Sequence, residues 1–138
     1  MYVVYPAVFY KNSDNDGFTV VFPDFDFGAT EGENLTNSYE MATDYVGSWL
    51  YEYFIDGKDF PKARDIKEME IEEDEYSIKE ESFVTLIGID MAEYVRKSEN
   101  KTVRRNVSIP SYLNELAKRK NINVSQLLQE ALKDELNV

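Results

Sequence analysis

Apolar side chains recur at every third or fourth position from residue 35 to residue 54, which is the spacing of an amphipathic helix of about five turns. Polar side chains occupy the opposite face, Asn34 or Thr36 is the expected N-cap, and the helix should end near the sequence "DGK". Burial alone accounts for this spacing, so we expect the stripe to form a core rather than a cofactor site. The stripe consists of Tyr39, Ala42, Val46, Trp49, Leu50, Tyr53 and Phe54.

Runs rich in β-branched and aromatic residues flank this helix. "MYVVYPAVFY" and "GFTVVF" are separated by the turn-forming "KNSDNDG" and predict a β-hairpin. A third short strand is expected around Ala29 to Glu31, and "SFVTLIGI" at residues 82 to 89 predicts a buried strand. The predicted order is therefore β-β-β-α-β, an α+β domain in which a helix packs on one face of an antiparallel sheet.

The amino-acid composition excludes several kinds of site and catalytic group. The 138-residue chain contains no cysteine and no histidine, so it has no disulfide, no thiolate zinc site, no thiol nucleophile and no imidazole base. We expect no cofactor and no enzymatic activity. No stretch resembles a signal peptide or a membrane span, and a cytoplasmic protein is therefore expected.

Charge is distributed unevenly along the chain. Residues 1 to 100 carry 8 Lys+Arg and 23 Asp+Glu, a net charge of −15. Residues 101 to 138 carry 7 Lys+Arg and 4 Asp+Glu, a net charge of +3. This reversal predicts two domains, 1–98 and 99–138, with two kinds of partner. The basic side chains near the start of the tail are Lys101, Arg104, Arg105, Lys118, Arg119 and Lys120.

The tail predicts a strand followed by two helices. In a strand that ends at Pro110, Val103, Arg105, Val107 and Ile109 share one face, and Thr102, Arg104, Asn106 and Ser108 share the other. "SYLNELAKRK" should follow as a helix with its leucines inward, and "NINVSQLLQEALKDEL" as a second helix. We expect Asn123 to be the N-cap of that second helix, in a capping box with Gln126.

Fewer than 40 residues with a lone strand cannot cover this apolar surface, so we expect a homodimer through residues 101–137, and a higher oligomer stays open. Two strands would pair antiparallel into a ribbon that fits a DNA major groove, where Arg suits guanine and Asn suits adenine. A two-fold dimer requires an operator with an inverted repeat. The alternative is that this face is only the solvated side of an edge strand.

"YPAVF" and "GFTVVFPDFDFGATEGENLTNSYEMA" resemble the N-terminal domain of HicB-type antitoxins, in which a strand runs into a Pro-Asp turn, then Thr-x-Gly, then a helix. The likeness covers roughly residues 3 to 56. Asp26, Phe27 and Gly28 stand where the family usually has a Pro-Gly-Cys or similar group. The resemblance implies a partial ribonuclease-H-like domain that binds a small basic ribonuclease toxin of the HicA-like type, which cleaves mRNA. It also implies a C-terminal DNA-binding module of either the helix-turn-helix or the ribbon-helix-helix type. We expect toxin contact at Asp24, Phe25 and Asp26.

Residues 101 to 137 resemble the ribbon-helix-helix family. That resemblance assigns base reading to Arg104, Asn106 and Ser108, with Thr102 near the end, and phosphate binding to the backbone N–H groups of Val124 and Ser125. Arg105 departs from the pattern, because an apolar residue is usual at that inward position. The expected function is thus an antitoxin that neutralises its toxin and represses its own operon.

Two other functions stay open at this point. One is a transcription factor whose first domain senses a ligand or mediates oligomerisation. The other is a metal-dependent, ribonuclease-H-like nuclease, for which Asp24, Asp26, Asp14, Asp16 and Asp44 would supply carboxylates. The acidic run from Glu68 to Glu81 is either a solvated strand or linker or a surface that complements a basic partner.

Overall fold

The computed structural model describes residues 1–99 and 102–138. Within them, one antiparallel sheet has the strand order β3-β2-β1-β4. The strands are β1 (Tyr2–Asn12), β2 (Phe18–Phe22), β3 (Gly28–Gly32) and β4 (Ser77–Asp90). The predicted hairpin and third strand are confirmed, and so is the order β-β-β-α-β.

The register places alternate residues of the central strands in the core. Phe9 is opposite Val20 on β2, and Tyr5 is opposite Ile87 on β4. These side chains are at most 3% exposed and face the first helix. Pro6 lacks an N–H, and it lies beyond the residue pairs of β1 and β2, which run from Val8 to Lys11.

Helix α1 (Leu35–Asp56) covers one face of the sheet, as the apolar spacing predicts. Asn34 is its N-cap, because the Asn34 side chain accepts a hydrogen bond from the N–H of Asn37. Gly57 ends the helix at φ 66°, a left-handed conformation that glycine adopts at little cost. The N-terminal turn of α1 lies so close to β3 that a Cβ at Gly32 would overlap the backbone of Ser38.

Two features of the first domain differ from the sequence prediction. Strand β4 begins at Ser77, so the end of the acidic run is strand, and the strand predicted at residues 82–89 is only its second half. The predicted burial of that half is correct only in part, because Ile87 is its one fully buried residue and Leu86 is 47% exposed. Helix α2 (Met91–Ser98) follows directly and was not predicted. Its N-cap is Asp90, whose carboxylate accepts hydrogen bonds from the N–H groups of Ala92 and Glu93.

The two predicted tail helices are confirmed as α3 (Ser111–Arg119) and α4 (Val124–Leu136). The strand predicted to end at Pro110 is not formed in the single chain, where residues 102–110 are neither helix nor strand. Pro110 immediately precedes α3, and its carbonyl accepts hydrogen bonds from Leu113 and Asn114. Lys101, which the sequence analysis counts in the basic region, lies outside the described residues. In the described part of the chain, every helix is too short or too polar to cross a membrane.

Candidate functional site

The tail residues predicted to read bases are all exposed. Thr102, Arg104, Asn106 and Ser108 lie in the segment before α3 and are open to solvent. Arg105 is exposed as well, so the single chain buries none of these polar groups. The hydrogen-bonding groups that the sequence assigns to DNA are therefore accessible.

The apolar face of the same tail is exposed too. Among residues 102–138 only Ala117 is even partly buried. Leu113 and Leu116 on α3 are 44% and 50% exposed, although the sequence pattern predicts them inward. The other exposed apolar side chains of the tail are Val103, Val107, Ile109, Tyr112, Ile122, Val124, Leu127, Leu128, Leu132, Leu136 and Val138. One copy of the tail has no core, and two short helices at this exposure need further apolar surface to be stable.

The N-terminus of α4 has part of the geometry of an anion-binding site. The Asn123 side chain accepts a hydrogen bond from the N–H of Gln126 at 3.0 Å, as predicted. The capping box also predicts a hydrogen bond between the Gln126 side chain and the backbone N–H of Asn123. That part of the prediction is wrong, because the Gln126 side-chain amide donates to Glu130 at 3.3 Å instead. Val124 and Ser125 occupy the first turn, where backbone N–H groups have no acceptor within the helix.

In the first domain, the turn after β2 contains a buried carboxylate that is paired with a half-exposed arginine. Asp24 lies in a short 3₁₀ turn (Pro23–Phe25), and its side chain is only 3% exposed. The Nε of Arg64 lies 3.4 Å from Oδ1 of Asp24, and the backbone N–H of Arg64 also donates to this carboxylate. The predicted toxin contact at Asp24 is therefore already engaged by the loop after α1.

Phe25 is a core residue, because its side chain is 1% exposed. Its ring stacks on Trp49 with centroids 4.6 Å apart and packs against Tyr5 at 4.7 Å. Direct contact between Phe25 and a partner is incompatible with this packing. Its role is to hold the turn against α1.

The two residues after Phe25 are exposed and have an unusual backbone conformation. Asp26 and Phe27 have φ values of 53° and 58°, the left-handed region that few residues other than glycine adopt. The Phe27 side chain is 64% exposed, and the Arg64 guanidinium lies 5.3 Å from its ring centroid. The sequence analysis missed Phe27 as a surface residue. The only signal was its position in the segment that departs from the family pattern.

Phe27 borders a groove of about 370 Å³ on the sheet face opposite α1. Val8, Tyr10, Thr19 and Val21 form the floor on β1 and β2. The exposed carboxylates of Glu70, Glu72 and Asp74 line one side, in the segment that precedes β4. We call this feature the acidic groove.

Hydrogen bonds fix the loop that shapes the acidic groove. The Tyr10 hydroxyl accepts a hydrogen bond from the N–H of Glu72 at 3.2 Å, and Ser13 N–H donates to the Tyr76 carbonyl at 2.9 Å. On the opposite face, the Tyr5 hydroxyl donates to the Pro61 carbonyl at 2.5 Å. Burial, with a contribution from the nearby Asp24 carboxylate, raises the pKa of Tyr5 to about 12, so this donor keeps its proton.

The carboxylates considered for a nuclease are dispersed. Asp14 and Asp16 lie in the turn between β1 and β2, and Asp44 lies on α1 beside the Tyr94 hydroxyl. Asp24 is paired with Arg64 as described. Within residues 1–99 and 102–138, no three His, Cys, Asp or Glu side chains come together in a group that could hold a metal ion.

Known proteins resemble this chain at the level of sequence and fold. Residues 5–132 match the sequence profile of the family described as "HicB_like antitoxin of bacterial toxin-antitoxin system". No curated protein matches the chain.

Two solved structures share the fold. A chain of a toxin-antitoxin complex from Streptococcus pneumoniae is 24% identical, with a TM-score of 0.64 over 98% of this chain and 99% of that one. The antitoxin HicB from Burkholderia pseudomallei is 18% identical, with a TM-score of 0.51 over 98% of this chain and 97% of that one. The family match spans the first domain and nearly all of the tail, and the protein therefore belongs to the HicB-like antitoxins of bacterial toxin-antitoxin systems.

Proposed function

We propose that this antitoxin neutralises a small basic ribonuclease toxin through its first domain and represses its own operon through its tail. It acts by binding and not by catalysis. The observation that carries the proposal is the contrast between an acidic unit with a formed groove and a basic unit with no core of its own. Each unit suits a partner of opposite charge.

The acidic groove is the proposed toxin site. Phe27 supplies an exposed aromatic ring on the turn after β2, and aromatic anchors of this kind often contribute most of the binding energy of an interface. Glu70, Glu72 and Asp74 supply negative charge beside it. A ribonuclease needs a basic surface to hold RNA, and carboxylates that cover this surface exclude the phosphates.

Of the three residues that the sequence predicts for toxin contact, Asp26 remains a proposed contact. Asp26 is exposed next to Phe27. Asp24 and Phe25 act indirectly in this proposal, because they fix the turn through Arg64 and Trp49.

The tail is the proposed operator-binding unit, a ribbon-helix-helix dimer. Two copies of residues 102–110 would pair into an antiparallel ribbon and present Arg104, Asn106 and Ser108 to base edges. Pairing would also cover the exposed leucines of α3 and α4. Val124 and Ser125 would then hold a backbone phosphate at the start of α4.

Substitution of Phe27 tests the toxin site. The toxin would be the product of the neighbouring reading frame, co-expressed and co-purified with this chain. We expect Phe27→Ala to weaken toxin binding about tenfold or more, which is the usual loss for an aromatic anchor. Glu72→Lys should also weaken toxin binding, and the loss of affinity should be larger at low salt than at high salt, because this substitution acts through charge. Binding can be measured by calorimetry at two ionic strengths.

Ile55→Ala is the matched control, since Ile55 is 54% exposed, lies on the last turn of α1 and does not line the acidic groove. It should bind the toxin as the unchanged protein does. Full affinity in both Phe27→Ala and Glu72→Lys would show that the toxin uses another surface.

A further inference from the structure

The exposed Phe27 ring has a cationic neighbour that lies outside the acidic groove. The guanidinium carbon of Arg64 lies 5.3 Å from the ring centroid, within the range of a cation–π contact. Phe27 lines the acidic groove, whereas Arg64 does not. In the part of the chain that the structure describes, Phe27 belongs neither to the hydrophobic core nor to the side chains packed against it. Arg64 is therefore the group in place to fix the direction in which this ring points.

One guanidinium serves both the Phe27 ring and a buried carboxylate. The Nε of Arg64 lies 3.4 Å from Oδ1 of Asp24 while the same side chain lies over the ring. Arginine can do both at once, because its donors are spread over a rigid plane that also stacks on aromatic rings. The single ammonium group of a lysine would serve one partner at a time. Arg64 thus links the buried start of the turn to its exposed end.

The backbone around Arg64 is itself anchored. The N–H of Arg64 donates to both carboxylate oxygens of Asp24 at 3.3 Å. Three residues earlier, the Pro61 carbonyl accepts the hydrogen bond from the Tyr5 hydroxyl. Directly after Arg64, the Asp65 side chain accepts a hydrogen bond from the N–H of a second short 3₁₀ turn (Ile66–Glu68). The Arg64 side chain therefore extends toward Phe27 from a fixed segment.

The turn that carries Phe27 depends on support of this kind. Asp26 and Phe27 both have left-handed backbone, which residues other than glycine keep only where surrounding contacts hold it. After them, the chain passes so close to α1 that a Cβ at Gly28 would overlap the Tyr45 hydroxyl. This packing holds the backbone of the turn, and the contact with Arg64 acts on the ring itself.

We propose that Arg64 is a positioning residue, which holds the Phe27 ring in its toxin-binding orientation from outside the acidic groove. This inference rests on the proposed function, because it concerns the same toxin site. An aromatic side chain that is already oriented loses less conformational entropy when a partner covers it. Asp24 completes the arrangement, because its buried carboxylate balances the Arg64 charge, and a basic toxin meets no uncompensated cation beside the ring.

Charge alone predicts the opposite effect of removing Arg64. A basic toxin would bind more tightly to a surface that has lost a cation, whereas the positioning role requires weaker binding. Lys62 provides the matched control, because it is an exposed cation in the same segment, two residues before Arg64. Lys62 does not line the acidic groove, and within the described residues it forms no ion pair.

The experiment measures the affinity of full-length variants for the toxin of the neighbouring reading frame by calorimetry. We expect Arg64→Ala to weaken binding roughly threefold, the size of an exposed cation–π contact, and Lys62→Ala to leave binding unchanged or slightly tighter. In the Phe27→Ala background, Arg64→Ala should cause no further loss, because no ring is left to orient. A purely structural role of Arg64 would not depend on the Phe27 ring in this way.

Arg64→Lys separates orientation of the ring from folding of the domain. Lysine keeps a cation beside Asp24, and the backbone N–H at position 64 still donates to this carboxylate. Thermal denaturation followed by circular dichroism should therefore show nearly unchanged stability, while toxin affinity falls about as far as in Arg64→Ala.

Unchanged or tighter toxin binding by both Arg64 variants would overturn the inference. An equal loss from Arg64→Ala with and without the Phe27 ring would overturn it too, because Arg64 would then act on the toxin independently of Phe27. If Phe27→Ala itself leaves affinity unchanged, the proposed toxin site fails and the inference fails with it. A loss of affinity in Phe27→Ala without a loss in the Arg64 variants refutes the positioning role alone.

Discussion

Residues 1–98 and residues 102–138 differ in whether the single chain covers their apolar side chains. In the first region Phe9, Phe22, Val46, Leu50 and Ile87 are fully buried between the sheet and α1. In the second region no side chain is fully buried, although the helices carry leucines at helical spacing. An amphipathic pattern therefore specifies which face is apolar, and the fold of a single chain does not always provide what covers it.

The largest expected effect concerns the tail. Leu128→Asp should abolish operator binding completely, because it introduces a charge into the surface that two tails would bury. A gel shift with the promoter DNA of the operon measures this. Gln129→Asp adds the same charge one position further along α4 and should bind DNA with little loss. Operator binding by Leu128→Asp would contradict the proposed dimer.

The converse test concerns the core of the first region. Phe25→Ala should lower the free energy of unfolding by about 3 to 5 kcal/mol, the usual cost of truncating a buried phenylalanine. Thermal denaturation followed by circular dichroism measures this, and Phe27→Ala, at 64% exposure, is the adjacent control that should unfold with the unchanged protein. Equal destabilisation by the two substitutions would contradict the burial difference between them.

The smallest expected effects are in the proposed base readers. Arg104→Ala and Asn106→Ala should each weaken operator binding by about 1 to 3 kcal/mol and relax base preference, without changing the helices. Gel shifts with operator variants at several salt concentrations measure both effects. Lys118→Ala serves for comparison, because loss of a phosphate contact should weaken binding equally for all sequences. Unchanged affinity in both the Arg104 and Asn106 variants would exclude this segment as the reader.

Local signals predicted most elements of the fold. The hairpin, α1 with its Asn34 cap, and the two tail helices all follow from periodicity and capping residues. Helix α2 was missed, although Asp90 followed three residues later by Glu93 is a start signal for a helix. The first part of β4 was assigned only as a possible solvated strand or linker, because charged residues at an open edge resemble a linker.

The candidate sites depend on contacts that are distant in sequence. Asp24 is buried because Arg64, 40 residues further on, approaches it, and no spacing rule predicts that pair. The left-handed backbone of Asp26 and Phe27 is equally unpredictable, since nothing in their side chains favours it except weakly for Asp. The base-reading residues of the tail were assigned from strand alternation, and residues 102–110 form no strand in the single chain, so the assignment of Arg104 and Asn106 stays a prediction.

The exposed apolar face of the tail has a consequence for regulation. A unit that completes its core only by pairing obeys mass action, so the fraction of chains able to bind the operator rises with protein concentration. Below the dissociation constant of the pair, the concentration of dimer varies with the square of the chain concentration. Under the proposed pairing, repression would therefore weaken more steeply than the protein level when that level falls, and the circuit would have a threshold although each operator binds a single dimer.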